Sequence, residues 1–189
     1  MVAGNHPRGS PQTFQTGLPP GFSLTELLIV LGIATILLTI AVPSFRTLIQ
    51  NQQVTTAVND LFAAINLARS EAIKRGALVH LAAVDPQSNW QKGWVVFVDN
   101  NDNGERDKGD ETIFERGPLS EGITIAPGFS GSVLKYLTFN GTGRTRTDSN
   151  SQALGSFSFK MNGDTRRIIT MNFLGRPRVC SPAKGKQSC

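Results

Sequence analysis

The chain has 189 residues and a formal net charge of +5, from 19 Lys and Arg against 14 Asp and Glu. Once the N-terminal apolar segment is set aside, about 140 residues remain, which is one domain, long enough for a real core. Only 2 histidines and 2 cysteines occur, and they form no cluster with metal-ligand spacing.

The N-terminal part of the chain divides at Gly21. Residues 1–21 are rich in proline, glycine and polar side chains, whereas residues 22–42 form an apolar run that contains one carboxylate, Glu26. As a helix this run spans about 30 Å, the thickness of a bilayer core. A charge in such a segment costs about 2.5–3.5 kcal/mol unless it is paired. Cleavage after Gly21 would supply the partner, a positive amine at Phe22. An ordinary secretory signal or a plain membrane anchor does not explain Glu26 at this position.

The sequence around this cleavage point resembles a known signal. Gly-Phe-Ser-Leu-Thr-Glu at 21–26, Leu-Leu-Ile-Val-Leu-Gly at 27–32 and Ala-Val-Pro-Ser-Phe at 41–45 are similar to the class III signal of type IV pilins and type II secretion pseudopilins. The resemblance implies that a prepilin peptidase cuts after Gly21 and methylates Phe22. The helix then waits in the inner membrane until it packs against other pilin subunits, with Glu26 paired to a neighbour's N-terminal amine. The chain departs from the family at Pro19-Pro20, where a basic residue is usual.

A second helical pattern follows the apolar run. Apolar residues recur at three- and four-residue spacing, and a basic last turn before Gly76 predicts the helix end; the stripe comprises Val54, Val58, Leu61, Phe62, Ile65, Ala68, Ala72 and Ile73. One helix over about 22–75 is therefore predicted. The predicted organisation is a prepilin leader at 1–21, a transmembrane and filament-core helix at 22–49, and a head at 50–189 with a helix at 50–75 and a β domain at 77–189.

Beyond Gly76 the hydrophobic period changes to two, which predicts strands. We predict eight of them, at 77–83, 93–98, 112–115, 122–126, 134–139, 157–160, 165–171 and 175–179. Asn162-Gly163 predicts a tight hairpin between two of them, and we find no internal repeat. The predicted fold class is α+β, with a long N-terminal helix packed on an antiparallel β domain.

Motifs along the head narrow the resemblance to minor pilins of the FimT/GspH type, whose fold is pilin-like. They are Ala-Arg-Ser-Glu-Ala-Ile-Lys-Arg at 68–75, Gly-Trp-Val-Val-Phe-Val-Asp at 93–99, Phe-Asn-Gly-Thr-Gly at 139–143 and Phe-Leu-Gly-Arg at 173–176. With the N-terminal signal, the resemblance covers residues 21 to about 178.

Charge is distributed unevenly along the head. Residues 85–121 carry nine acidic against four basic residues, a net of −5, and residues 144–189 carry nine basic against two acidic, a net of +7. The basic part contains Gly175-Arg176-Pro177-Arg178, and arginine is suited to phosphate because its planar guanidinium donates two hydrogen bonds. The motif is similar to the one with which FimT-type minor pilins of naturally transformable bacteria bind DNA. The alternative is that these arginines only face solvent or pair with the acidic middle of the chain.

Further cations extend this predicted site. Cys180 and Cys189 are expected to form a disulfide in an oxidising periplasm, and the ring they close contains Lys184 and Lys186. Arg144 and Arg146, in the glycine-rich segment after Phe139, are predicted to enlarge the patch, although loop solubility also explains them. Binding through phosphates would be sequence-independent and salt-dependent.

Catalytic and metal sites are not predicted. Residues 99–104 place oxygen side chains and Gly104 as an EF-hand loop does, but the twelfth position is Asp110 rather than Glu and the flanking elements are strands, so a polar turn is favoured over a calcium site. His80 is the one histidine after the leader and has no cysteine or carboxylate in a recognisable relation to it. Trp90 and Trp94 are expected to pack in the core and at its rim. We expect no enzyme activity and no cofactor.

The sequence thus predicts a minor pilin that is held in the inner membrane by a single span, has a periplasmic head and is built into a type IV pilus at the cell surface. Its predicted function is to bind the phosphate backbone of extracellular DNA for uptake in natural transformation. The alternative is a purely structural minor pilin, or a type II secretion minor pseudopilin, that primes filament assembly without binding DNA.

Overall fold

The structure is a computed structural model that describes residues 21–101, 103–129, 134–147, 152–172 and 174–182. It divides into two compact units, the first ending at Pro43 and the second beginning at Ser44. Helix α1 is continuous from Leu24 to Arg75, 52 residues, which confirms the predicted single helix. Its apolar part has a mean hydropathy of 2.5 over 18 residues, none of them buried, and is long enough to cross a membrane.

The second half of α1 packs on the β domain through one face. Its buried residues are Val54, Ala57, Val58, Leu61, Ala64, Ile65, Ala68 and Ala72. The predicted stripe is right for most of them but misses the alanines at 57 and 64, and Ile73 is wrong because its side chain is 49% exposed. Small alanines on this face let the helix approach the sheet closely. The helix ends at Arg75, and Gly76 follows it at φ +63°, as is common at helix C-termini.

In the part of the chain that the structure describes, nine strands form two antiparallel sheets. The five-stranded sheet has the order β3-β2-β1-β5-β6 and the four-stranded sheet the order β4-β7-β8-β9. Their bounds are Val79–Ala83 (β1), Trp94–Val98 (β2), Glu111–Arg116 (β3), Ile123–Phe129 (β4), Tyr136–Phe139 (β5), Thr145–Thr147 (β6), Gly155–Met161 (β7), Asp164–Met171 (β8) and Pro177–Cys180 (β9), with a short 3₁₀ helix at Trp90–Lys92 between β1 and β2.

The strand predictions are mostly confirmed. The hairpin at Asn162-Gly163 joins β7 to β8, with φ +53° and +90° as a type I′ turn requires. Strand β6 is missing from the predicted set, and most of the predicted strand ends differ from the observed ones by one to three residues; the last strand, for example, begins at Pro177 rather than at 175. Strand β6 lies in a glycine-rich segment and its buried residues are Thr145 and Thr147, so the period-two pattern there is carried by threonines rather than by large apolar side chains.

One hydrophobic core fills the head. Its members run from Val54 to Met171, so the predicted head at 50–189 contains the whole core. Trp90 and Trp94 are both fully buried; the first packs edge-on against Phe157 at 5.0 Å and donates its indole N–H to the carbonyl of Leu134 at 3.2 Å. Both tryptophans are therefore core residues, and neither lies at the rim.

Candidate nucleic-acid interface

Arginines predicted to bind DNA lie on two β-hairpins. Arg144 and Arg146 follow the turn between β5 and β6, and Arg176 and Arg178 follow the turn between β8 and β9. We call residues 136–147 the first arginine hairpin and residues 164–180 the second arginine hairpin. Lys184, Lys186 and Cys189 lie outside the described residues. The ring that they were predicted to form with Cys180 stays a prediction.

The turn of the first arginine hairpin is held by Asn140. Its side-chain Oδ1 accepts the backbone N–H of Thr142 at 3.1 Å and that of Arg144 at 3.0 Å. The backbone N–H of Gly143, at φ +73°, donates to the carbonyl of Asn140 at 2.8 Å. Asparagine at the start and glycine in the left-handed region are the residues that such a turn favours.

The second arginine hairpin has the same turn. Asn172 Oδ1 accepts the backbone N–H of Leu174 at 3.1 Å and that of Arg176 at 3.0 Å, and the N–H of Gly175 donates to the carbonyl of Asn172 at 2.9 Å. Gly175 has φ +71°. The expectation of no internal repeat is therefore wrong. The signal is visible in the sequence as Asn-x-x-Gly-Arg-x-Arg at 140–146 and again at 172–178.

The two turns lie against each other. A Cβ built on Gly175 would stand 2.7 Å from the carbonyl oxygen of Gly143 and 2.9 Å from Cγ2 of Thr145, so only glycine fits the contact. The same carbonyl accepts the Nε–H of Arg69, on α1, at 3.1 Å. Arg69 was not predicted as part of the site, and only the tertiary fold brings it there. The contact brings the two turns together directly before Arg144 and Arg176, both of which are exposed.

Side chains of these arginines face outwards. Arg144, Arg146, Arg176 and Arg178 are exposed, and the residues between and before them are buried or half-buried. Among the residues that the structure describes, the guanidinium groups of Arg144, Arg176 and Arg178 form no ion pair and no hydrogen bond. Their charge is available to an external anion.

In the part of the chain that the structure describes, no carboxylate pairs with Arg144, Arg176 or Arg178, and several pair with other cations. The observed pairs are Asp60 with Arg116, Asp85 with Lys92, Glu71 with Lys74 and Arg75, Glu111 with Arg75, Glu115 with Arg106, and Asp164 with Arg166. Hydrogen bonds from Arg75 hold the pKa values of the Glu71 and Glu111 carboxyls below their usual range. The same two carboxylates raise the pKa of Arg75.

The polar loop between β2 and β3 turns its carboxylates inwards. Asp99 accepts the backbone N–H of Gly104 at 2.7 Å, and Asp110 accepts those of Asn100 and Asp107 at 3.1 and 2.8 Å. In the described part of the chain, no group of three or more His, Cys, Asp or Glu residues is arranged to hold a metal ion. The carboxylates of Asp99 and Asp110, whose sequence positions are similar to those of calcium ligands in an EF-hand loop, therefore accept backbone N–H groups here.

His80 is a buried residue of β1 that packs against this loop. Its side chain is 1% exposed, and its Nε2 lies 3.6 Å from Oδ2 of Asp99. Its Nδ1 lies 3.2 Å from Oγ1 of Thr138, and its ring stacks on Phe97 at 5.4 Å. The sequence alone did not indicate that a carboxylate lies close to His80. The antiparallel pairing of β1 with β2 places His80 opposite Phe97 and so brings Asp99, two residues further on, close to its ring. A histidine so enclosed is part of the core.

The residues predicted for processing lie at the start of α1. Gly21 and Phe22 precede the helix, and Phe22 is 83% exposed. Ser23 caps the helix by accepting the backbone N–H of Glu26 on its Oγ at 3.2 Å. Glu26 therefore lies in the first turn, where the helix dipole favours a negative charge.

Comparisons with known proteins agree with this fold. The family described as Type II transport protein GspH matches residues 57–175. The pilin-like protein PilA1 of Thermus thermophilus is 38% identical over 91 residues, 48% of this chain and 55% of that protein, so the match spans about half of the relative's length. Two crystal structures of the type IV minor pilin FimU from Pseudomonas aeruginosa share the fold. They have TM-scores of 0.53 and 0.52 at 22% and 20% identity, and the alignments cover 71% and 73% of this chain and 98% and 96% of those chains.

The family match covers more than half of the chain, and the observed architecture is that of a pilin. This family and fold are those of structural proteins that associate with other pilin subunits. The apolar helix supports membrane anchoring before assembly into a pilus. The chain therefore belongs to the GspH family, and its fold is that of a pilin-like minor pilin.

Proposed function

We propose that this minor pilin binds extracellular DNA through its arginine hairpins, for uptake in natural transformation. The observation that carries the proposal is the group of exposed guanidinium groups at Arg144, Arg176 and Arg178, which have no partner among the described residues. Guanidinium groups bind phosphate oxygens in pairs of hydrogen bonds. Binding to the phosphate backbone is electrostatic and independent of base sequence.

Other predicted cations belong to the same proposal. Arg146 extends the patch on the first arginine hairpin, and Lys184 and Lys186 add charge beyond β9. A disulfide between Cys180 and Cys189 would hold those lysines in a small ring next to Arg178. Such a ring would lower the entropy that the C-terminal segment loses when DNA binds.

The N-terminal residues carry the assembly part of the proposal. A prepilin peptidase cuts between Gly21 and Phe22 and methylates the new amine. The subunit stays in the inner membrane with its head in the periplasm until it joins the pilus. There Glu26 pairs with the amine of a neighbouring subunit, which offsets the cost of a carboxylate in an apolar filament core.

A gel-shift series on residues 50–189 tests DNA binding, because this fragment contains the whole core. The Arg176→Ala/Arg178→Ala variant should weaken binding to all sequences alike. The slope of the logarithm of the binding constant against the logarithm of the salt concentration should be flatter by about 0.9 for each phosphate that the variant no longer neutralises. The matched control is Lys108→Ala/Lys135→Ala, which removes the same charge from exposed positions away from the hairpin turns. The control should bind as the wild type does.

A second candidate function is structural only, as a filament-priming minor pilin or a type II secretion minor pseudopilin. A groove of about 290 Å³ beside α1 favours it, since a neighbouring subunit could dock there; it is lined by Ile49, Gln52, Gln53, Thr56, Ala57, Arg116, Leu119, Ser120 and Ile123. In that case the arginines contact partner subunits. Failure of the wild-type head to shift DNA at low salt would leave this structural function in place of DNA binding.

A further inference from the structure

The two arginine hairpins are copies of one structural unit. Arg146 lies opposite Thr138 in the first, and Arg178 lies opposite Thr170 in the second. The two turns share their asparagine cap, their glycine with φ near +70° and their pattern of hydrogen bonds, as described above. The whole hairpin is therefore repeated, register included.

The fold explains the asparagine and the glycine of each copy, but not Arg144 and Arg176. Asparagine caps the turn, and glycine adopts a φ that strains other residues. Arg144 and Arg176 take part in the turns only through their backbone N–H and C=O groups, which any residue other than proline supplies. Their exposed side chains form no contact with described residues that would require a guanidinium. The recurrence of arginine therefore indicates a partner outside the chain.

The contact between the turns makes the four arginines one cluster. Gly143 and Gly175 touch, and the Cα atoms of Arg144 and Arg176 are each about 3.8 Å further along the chain. Within each hairpin the two arginines alternate with an inward residue, which separates their Cα atoms by about 7 Å along the strand. The contact therefore brings together the two backbone segments that carry the arginine pairs.

We propose that the two arginine hairpins are equivalent halves of one phosphate-binding site, and that each half binds phosphates of the same DNA molecule. This inference rests on the DNA binding proposed above. It goes further, because it predicts that the first arginine hairpin contributes as much to DNA affinity as the C-terminal motif does. Two linked halves bind one polyanion more tightly than either half alone, since the second contact forms within the complex.

The test compares three variants of the full chain in an uncharged detergent, binding a labelled duplex across a salt series. They are Arg144→Ala/Arg146→Ala, Arg176→Ala/Arg178→Ala, and the control Lys108→Ala/Lys135→Ala. We expect both arginine variants to bind about tenfold or more weakly at low salt and to be weakened by the same amount within about threefold, with equal flattening of the salt slope. The control should bind as the wild type does.

Other outcomes overturn different parts of the argument. If the first-hairpin variant binds as the control does while the second-hairpin variant is weakened, the equivalence of the halves is wrong and DNA binding by the C-terminal motif stands. If the control is weakened as much as both arginine variants, net charge alone accounts for binding and the two-half site is wrong. If the wild type does not bind DNA, the proposed function and this inference both fail.

Discussion

The contact between the two turns gives a stability prediction that does not depend on DNA. Alanine at Gly175 must adopt φ +71°, and a left-handed residue with a Cβ costs about 1–2 kcal/mol. Its Cβ would also stand 2.7 Å from the carbonyl oxygen of Gly143, a backbone atom that cannot rotate away. Forcing extra volume into a packed site costs about 1–3 kcal/mol. We therefore expect Gly175→Ala to lower the free energy of unfolding by about 2–5 kcal/mol.

The chain supplies a matched control for this prediction. Gly76 has φ +63°, and a Cβ there would meet no atom within 4 Å. Gly76→Ala should therefore cost only the conformational strain of about 1–2 kcal/mol. Gly143→Ala should fall between the two, because its Cβ meets the side chains of Ile73 and Arg69 at 2.8 and 3.0 Å, and these can move.

Urea unfolding of residues 50–189, followed by tryptophan fluorescence, measures the three variants. Trp90 and Trp94 are fully buried, so their emission reports loss of the core. The slopes of the unfolding curves should agree, so that the midpoints alone report stability. If Gly175→Ala were no more destabilising than Gly76→Ala, the two turns would not press against each other, and the cluster of four arginines would lose its structural basis.

Three further predictions concern other parts of the chain. Mass spectrometry of the native polypeptide should show a start at Phe22 with a methylated amine; an uncut leader would contradict the pilin signal. Arg75→Gln should flatten the pH dependence of stability in acid. Hydrogen bonds from Arg75 hold the pKa values of Glu71 and Glu111 below the ordinary 4.5. The stability that these pairs add is therefore present above pH 4.5 and is lost as the pH falls through the lowered pKa values. An equal loss of melting temperature in variant and wild type between about pH 5 and pH 3 would contradict this. Non-reducing peptide mapping should find Cys180 linked to the last residue, and finding both as thiols in protein from the periplasm would contradict the predicted ring.

Much of the fold could be predicted because local patterns and tertiary structure agree. The long apolar run and the stripe after it predict α1, and Asn162-Gly163 predicts the β7–β8 hairpin with its turn type. Strand β6 was missed because it has only three residues, Thr145–Thr147, and is held by pairing with β5 rather than by its own apolar pattern. Ile73 continues the helical period but lies beyond the part of α1 that the sheet covers.

The candidate site could be predicted only in part. The chemistry of Arg176 and Arg178 follows from their sequence, since arginine beside glycine and proline indicates an exposed phosphate-binding segment. Their relation to Arg144 depends on which strands pair and where the turns meet, and a linear pattern does not contain that information. Arg69, on α1, donates a hydrogen bond to the carbonyl of Gly143, which lies 74 residues further along the chain.

Strand β9 ends its sheet among the described strands, and an open strand edge invites other chains to add to it. Several features of β9 discourage this: it has four residues, it begins with Pro177, which lacks an N–H donor, and exposed arginines flank that proline. Short length, proline and charge are the means by which natural sheets avoid edge-to-edge aggregation. An edge of this kind pairs poorly with a strand of a neighbouring chain, so β9 can stay exposed in a concentrated assembly without strand-to-strand aggregation.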